Sequence, residues 1–151
     1  MELKRYLILF IFTFLINPVY AELLRPNKKL EPYDVVKIQL EALKNNNEDD
    51  YGIKQTWLFA HPENKKVKGP YKRFRIMIYG EQYKFLINHS SHKIKLITND
   101  LKTFIYRIEI LSANKQLFFY EWHVQKGSDK ECKNCWFTSS VSKPADQGNT
   151  I

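Results

Sequence analysis

The stretch TFIYRIEILSANKQLFFYEWHV, residues 103–124, decides the fold class because its apolar side chains recur at every second position. That period is typical of β-strands with one buried face. The inward positions of the two predicted strands, 103–111 and 117–124, are Phe104, Tyr106, Ile108, Ile110, Phe118, Tyr120, Trp122 and Val124. Ala113 and Asn114 are turn-like, so the two strands are predicted to pair as antiparallel neighbours.

Two further strands flank this predicted hairpin. Residues 93–98 alternate between polar and aliphatic side chains, and residues 136–141 form a fourth strand candidate. Asn99 and Asp100 are turn-like, whereas residues 127–134 form a longer polar loop. The pattern therefore predicts a four-stranded antiparallel sheet.

The chain before the sheet has helical spacing. Three helices are predicted from apolar residues three or four positions apart: Val36, Leu40 and Leu43; Ile53, Trp57 and Ala60; and Phe74, Met77 and Ile78. The expected boundaries are Asp34 as the first cap, Asp49 or Asp50 as the second cap, Pro62 as the end of the second helix, and Pro70 in the first turn of the third. Residues 63–69 are predicted to be a basic loop. The fold class that follows is α+β, with N-terminal helices packed on a curved four-stranded antiparallel sheet.

Residues 1–21 have the three-part pattern of a secretory signal peptide. Lys4 and Arg5 precede an apolar run over residues 6–16, and Ala21 places a small side chain at the end of the segment. The run is shorter than the roughly 20 apolar residues that span a bilayer, so cleavage after Ala21 is expected, with an uncleaved anchor as the alternative. The protein is therefore expected to be secreted or periplasmic, with no membrane span left after cleavage.

The rest of the chain divides into three segments. Residues 22–31 form a polar arm, residues 32–143 a single α+β domain, and residues 144–151 a polar tail that is predicted to be disordered. The length of 151 residues fits one domain. A hydrophobic content of 44% excludes an intrinsically disordered chain, and two cysteines exclude a multi-disulfide scaffold.

The chain is basic, with a formal charge of +8, or +7 once residues 1–21 are left out. Six cations fall within residues 65–75, namely Lys65, Lys66, Lys68, Lys72, Arg73 and Arg75. They are candidates for binding a phosphate or carboxylate near the helix that opens at Pro70. The alternatives are attraction to nucleic acid or anionic lipid, and a solvated basic loop and helix face. For Arg73 an internal ion pair is a further alternative.

Cys132 and Cys135 form a C-x-x-C pair in a chain that is expected to reach an oxidising compartment. A local structural disulfide is the favoured interpretation, and a redox dithiol or two free thiols are the alternatives. A single C-x-x-C excludes a four-cysteine zinc site within one chain. The four histidines form no metal-binding motif on a helix, so neither a metal nor a cofactor is expected.

Glu121 and His123 lie on one face of the third predicted strand, opposite Tyr120 and Trp122. If that face lines a pocket, the two side chains are candidates for a general acid and base. If it faces water, they are the polar side of the strand. Which face is buried decides between these interpretations.

Six short motifs in a fixed order resemble a known family. They are Val35-Val36-x-Ile38-Gln39-Leu40-x-Ala42-Leu43, Asp50-x-Gly52-Ile53, Phe59-Ala60-x-Pro62-x-Asn64-Lys65, Gly69-Pro70-x-x-Arg73-Phe74, Tyr120-x-Trp122 and Cys135-Trp136-x-Thr138-x-x-Val141. Over residues 32–142 the chain resembles the uncharacterised family called domain of unknown function 4864, whose members are small and mostly bacterial. The resemblance implies a nuclear-transport-factor-2-like, or cystatin-like, cone. It implies no reaction.

Three functions are compatible with these patterns. The favoured one is a non-catalytic module that binds an unknown small molecule in the cone, between the first helix, the Phe74 helix and the inner sheet face. The second is a lyase- or isomerase-like enzyme that uses Glu121 and His123. The third is a protein- or envelope-binding module that uses residues 65–75. Nucleic acid is not the expected partner, and a homodimer is left open.

Overall fold

The computed structural model describes residues 22–127 and 132–146. The predicted signal peptide and the end of the predicted tail lie outside these residues. The helices are α1 (Pro32–Lys44), α2 (Tyr51–Leu58), α3 (Pro62–Lys68) and α4 (Tyr71–Tyr79), followed by a 3-10 turn, Lys84–Leu86. The strands are β1 (Ser91–Asn99), β2 (Thr103–Leu111), β3 (Leu117–Lys126), β4 (Trp136–Val141) and β5 (Ala145–Asp146).

The strands form one antiparallel sheet in the order β1-β2-β3-β4, and β5 pairs with β3 beyond the end of β4. The β2–β3 hairpin keeps one register from Thr103 opposite Gln125 to Leu111 opposite Leu117. Register shifts occur between Leu96 and Thr98 in β1 and after His123 in β3. Such irregularities bend and twist a sheet. The predicted fold class is confirmed: helices pack on a curved, open antiparallel sheet.

The core lies between the helices and the inner face of the sheet. The largest contributions from the sheet are Tyr106, Ile108, Ile110, Phe118, Tyr120, Trp122 and Val124, and from α1 Val35, Val36, Leu40 and Leu43. All are nearly inaccessible to solvent, and the periodicity of the strands predicts every member from the sheet. Phe104, which is also predicted to point inward, is only partly buried. Each aliphatic side chain buried in this way contributes about 1.5–3 kcal/mol.

The basic loop predicted over residues 63–69 is wrong, because most of it forms α3. Pro62 was expected to end the preceding helix, yet it occupies the first position of the next one, where its missing N–H leaves no hydrogen bond unmade. His61 caps α3, since its Nδ1 accepts a hydrogen bond of 3.3 Å from the backbone N–H of Glu63. The consequence is that Lys65, Lys66 and Lys68 lie on a helix rather than in a loop, so all six candidate cations are helical.

Two other boundaries differ from the predictions. Asp34 is not the cap of α1 but its third residue, and its carboxylate accepts a hydrogen bond of 2.9 Å from the N–H of Glu31, which precedes the helix. The tail predicted to be disordered from residue 144 begins instead with the short strand β5. It pairs there with Phe118 and Phe119.

The polar arm is held against α2. Buried Gln55 donates a hydrogen bond from Nε2 to the carbonyl of Leu24 and accepts one at Oε1 from its N–H, both of 2.8 Å. The hydroxyl of Tyr51 donates to the carbonyl of Glu22 at 3.1 Å. Residues 22–24 therefore belong to the folded domain.

Candidate functional site

A cavity of about 60 Å³ lies between the helices and the sheet. Its walls are mainly apolar, with Trp57, Ala60, Phe74, Met77, Ile78, Leu86 and Val141. The buried end of the cavity carries the polar residues Gln39, Thr56, Trp122 and Thr138, and the open end carries Asn64, Lys68, Tyr83 and Ser140. The site thus combines an apolar chamber with a polar group of residues at each end.

The buried end is a closed hydrogen-bond network centred on Gln39. Its Nε2 donates to the carbonyl of Thr56 at 3.0 Å, and its Oε1 accepts from Trp122 Nε1 at 3.1 Å and from the hydroxyl of Thr138. The indole N–H of Trp122 also reaches the Thr138 hydroxyl at 2.9 Å. These bonds join α1, the end of α2, β3 and β4. They satisfy groups that would be costly to bury unpaired.

Sequence reasoning did not single out Gln39, although a signal was present. It is a polar residue within the apolar face that Val36, Leu40 and Leu43 define on α1. A polar side chain at such a position is buried and needs partners. The partners come from strands about 80 to 100 residues later in the chain, so only the folded structure identifies them.

The open end is shaped by α3. Asn64 donates from Nδ2 to the carbonyl of Ser139, which ties α3 to β4. Tyr83 donates its hydroxyl to the carbonyl of Val141 at 3.1 Å, and burial raises the pKa of its phenol. Lys68 lies exposed at this end, and no described residue forms a hydrogen bond or ion pair with its ammonium group. A cation therefore stands beside an apolar chamber.

Two other candidate cations of α3 have partners within the protein. Lys65 donates from Nζ to the carbonyl of Leu58 at 3.2 Å, near the C-terminal end of α2, and lies 5.8 Å from the centre of the Trp57 ring. Lys66 forms an ion pair of 2.7 Å with Glu63. Both therefore have a structural explanation that needs no ligand.

Arg75 also has a partner, the buried carboxylate of Asp50, which accepts a hydrogen bond from its Nε. The hydroxyl of Tyr79 and, at 3.3 Å, Nδ2 of Asn46 donate to the same carboxylate. Burial raises the pKa of the Asp50 carboxyl, but the three hydrogen bonds outweigh it and hold the pKa below its usual value. The internal ion pair considered for Arg73 is thus formed by Arg75.

Lys72 and Arg73 are exposed on α4. Within residues 22–127 and 132–146, neither side chain forms a hydrogen bond or ion pair. Three of the six candidate cations, Lys68, Lys72 and Arg73, therefore have no hydrogen bond or ion pair with a described residue. The six cations therefore do not converge on one anion site.

Glu121 and His123 lie on the outer face of the sheet, away from the cavity. His123 Nε2 is 3.6 Å from a carboxylate oxygen of Glu121, whose side chain is 55% exposed. Their neighbours Tyr120 and Trp122 are the residues that point into the core. The condition for an acid–base pair in the cone, that this face lines it, is not met.

The sulfur atoms of Cys132 and Cys135 are bonded to each other. Cys135 is buried, and its carbonyl accepts a hydrogen bond of 2.9 Å from the N–H of Gly127. This arrangement corresponds to the structural-disulfide alternative, in which the bridge closes the turn that leads into β4.

A histidine cluster lies between α1 and β1. His89 Nδ1 donates to the carbonyl of Leu86 at 2.7 Å, and its Nε2 is 2.7 Å from His92 Nδ1, so these two nitrogens share one proton. His92 Nε2 lies 3.5 Å from Glu41. Burial lowers the pKa of both imidazoles. Among the described residues, no group of three histidine, cysteine or acidic side chains is arranged so that it could hold a metal ion.

Comparisons of the chain with protein-family models, with curated proteins and with solved structures find no match. The resemblance to the domain of unknown function 4864 family stays a prediction. In the part of the chain that the structure describes, no helix has the length and hydrophobicity needed to cross a bilayer.

Proposed function

We propose that this protein is a non-catalytic binding module whose ligand is a small anion with a short apolar group. The observation that carries the proposal is the apolar cavity that opens beside the unpaired cation of Lys68. An apolar chamber with few, well-placed polar groups is the usual form of a ligand site. A carboxylate or phosphate at the open end would form a charge-assisted hydrogen bond with this ammonium group.

The size of the cavity limits the ligand. An engineered cavity of about 150 Å³ accommodates benzene, and the volume here is about 60 Å³. The group that enters must therefore be smaller than a benzene ring, such as an isopropyl group. The anionic group remains at the open end, in contact with water. Short branched carboxylates fit this description.

The chemistry of the lining supports binding rather than catalysis. The titratable groups among the described lining residues are Lys68 and Tyr83, and the tyrosine hydroxyl already donates to a backbone carbonyl. The network at the buried end is hydrogen-bonded internally and offers no free nucleophile. Proton transfer would need a partner of suitable pKa within hydrogen-bond reach of the substrate.

Isobutyrate is a suitable probe, with isobutanol as its uncharged match. Because Trp57 and Trp122 line the cavity, tryptophan fluorescence reports occupancy directly. We expect isobutyrate to change the fluorescence and raise the melting temperature, and isobutanol to bind at least tenfold more weakly, since it cannot form the charge-assisted bond.

Lys68→Met is expected to weaken isobutyrate binding about tenfold, because it removes the cation and keeps most of the apolar stem. Lys72→Met is the matched control, since it removes one charge from the same surface outside the cavity lining. Equal binding of the alcohol, or an equal loss in the control variant, would contradict the proposal.

A further inference from the structure

The exposed side of α3 and α4 combines unpaired cations with unpacked aliphatic side chains. We call this surface the docking face and define it as Val67, Lys68, Lys72, Arg73 and Ile76. Val67 is 77% exposed and Ile76 is 62% exposed, and neither packs against the hydrophobic core. The docking face is therefore apolar and cationic at once.

The charge of this region is strongly one-sided. Residues 62–79 hold six cations and one acid, Glu63. The acid pairs with Lys66, and Arg75 is neutralised by Asp50 from outside the segment. The cations of the docking face have no such counterpart among the described residues. An anionic partner would supply it.

The aliphatic and cationic residues of α4 lie on one strip of the helix. Ile76 is three residues after Arg73 and four after Lys72, and residues at these spacings are neighbours on a helix surface. A surface that inserts aliphatic side chains while basic residues flank them matches the interface of a lipid bilayer. Nucleic acid offers phosphates but no apolar layer for Val67 and Ile76.

We propose that the docking face binds the surface of a membrane that contains anionic lipid. Lys72 and Arg73 would meet the headgroups, and Val67 and Ile76 would enter the boundary between headgroups and acyl chains. The interaction is peripheral and salt-dependent, because the attraction to headgroups is screened by ions. Lys68 belongs to both the docking face and the cavity lining, whereas Val67, Lys72, Arg73 and Ile76 lie outside the lining and therefore test membrane binding separately.

Sedimentation with lipid vesicles tests this proposal. We expect the protein to bind vesicles of phosphatidylcholine with about 30 mol% phosphatidylglycerol and to bind pure phosphatidylcholine far more weakly. Raising the salt concentration tenfold should release most of the bound protein. Equal binding to both vesicle types, or no binding to either, would overturn the proposal.

Variants identify the surface. Lys72→Ala/Arg73→Ala should reduce the partition coefficient about 25-fold, at about fivefold for each cation. Val67→Ser/Ile76→Ser should reduce it at least tenfold without a change in charge. Lys95→Ala/Lys102→Ala is the control, since it removes the same charge from exposed residues of β1 and the β1–β2 turn. We expect it to bind within twofold of the wild type.

Further measurements distinguish membrane binding from misfolding, from binding of nucleic acid and from an effect of net charge. All the substituted side chains are exposed, so each variant should keep the melting temperature of the wild type, and a folded variant that binds normally would overturn the assignment of this surface. Binding of duplex DNA that survives Val67→Ser/Ile76→Ser, together with failure on vesicles, would identify nucleic acid as the partner instead. If Lys95→Ala/Lys102→Ala lowered the partition coefficient as much as Lys72→Ala/Arg73→Ala, the net charge of the protein would explain binding. That result would overturn the assignment to the docking face.

Discussion

Asp50 is a buried carboxylate at the left-handed residue before α2, with φ of 57°. Asparagine tolerates this conformation, so Asp50→Asn removes the charge without straining the backbone. We expect the substitution to lower the free energy of unfolding by about 1–2 kcal/mol at pH 7, because the hydrogen bonds from Arg75 and Tyr79 lose their charged acceptor. Asp49→Asn, at the exposed neighbouring position, should change it by less than about 0.5 kcal/mol.

The stabilisation by Asp50 depends on pH, and the direction of its pKa shift says how. The pKa of its carboxyl is lower in the folded protein than the unfolded value of 3.8. The stabilisation is therefore complete well above pH 3.8 and is lost as the pH falls through the folded pKa. Urea unfolding at pH 7 and at several pH values below 3.8 should show the difference between wild type and Asp50→Asn become smaller as the pH falls. A difference that persists in acid would show that the charge is not its cause.

His89 and His92 give stability a second limit in acid, closer to neutral pH. Burial lowers both pKa values below 6.5, although Glu41 raises that of His92 in part. The unfolded chain therefore binds protons first as the pH falls, and their contribution to stability is present above about pH 6.5 and is lost below it. Lys44 adds to the effect by repelling a protonated ring.

We expect the melting temperature of the wild type to fall between pH 7 and pH 5. His89→Gln/His92→Gln should flatten this part of the profile, even though it lowers the melting temperature at pH 7. Scanning calorimetry at half-unit steps measures both. Parallel profiles for the two proteins would show that other groups cause the fall.

Single residues also show what could not be predicted from the sequence. The six cations of residues 65–75 are evident in the sequence, but their partners are not. Arg73 was the candidate for an internal ion pair, and Arg75 forms it because folding brings Asp50 to it from 25 positions away. Likewise Glu121 and His123 share a face, as the alternation predicts, but only packing shows that this face is the outer one.

At the scale of elements, strands were predicted more closely than helices. The boundaries 103–111 and 136–141 agree with β2 and β4, because alternation changes sharply at turn residues. Helix α3 was missed because it lacks an apolar face: Val67 is its one aliphatic residue and stays exposed. A proline also leaves the helix boundary ambiguous, because it can end one helix or occupy the first turn of the next.

The contacts between elements can be tested at Gln39, which joins α1 to α2, β3 and β4. Gln39→Leu takes an acceptor from the hydroxyl of Thr138 and one of two acceptors from Trp122. It also removes one of two donors to the carbonyl of Thr56, which keeps the N–H of Phe59. Unfulfilled buried groups of this kind cost about 1–3 kcal/mol each, so we expect a loss of about 2 kcal/mol in the free energy of unfolding. Denaturant titration measures it.

Gln125→Leu is the control for Gln39→Leu. Its side chain lies on the outer face of β3, half-buried, with a single hydrogen bond of 3.3 Å to Thr103. We expect a change below about 0.5 kcal/mol. Equal losses in the two variants would indicate that the network around Gln39 is not what holds these elements together.

At the scale of the whole molecule, the helices fill most of the inner face of the sheet and leave only a small chamber. Periodicity predicts which face of each element is buried, and it therefore predicts the layers. It does not predict how completely they fill the space, because that depends on side-chain volumes from six elements at once. The cavity beside Lys68 and the position of α3 at its open end could not be predicted for this reason.

The order of the strands leaves β1 at one side of the sheet, whereas β4 is bridged at Thr138 by the backbone beside Ala60. An open strand edge invites fibril growth by addition of further chains. Here Lys93 and Lys95 project from it, and the shift between Leu96 and Thr98 breaks its straight course. If β1 of a second copy paired with this edge, the lysines of the two strands would repel each other. The irregularity between Leu96 and Thr98 would also interrupt the hydrogen-bond register of the pair. The protein should therefore tolerate crowded, concentrated conditions without forming amyloid-like stacks through β1.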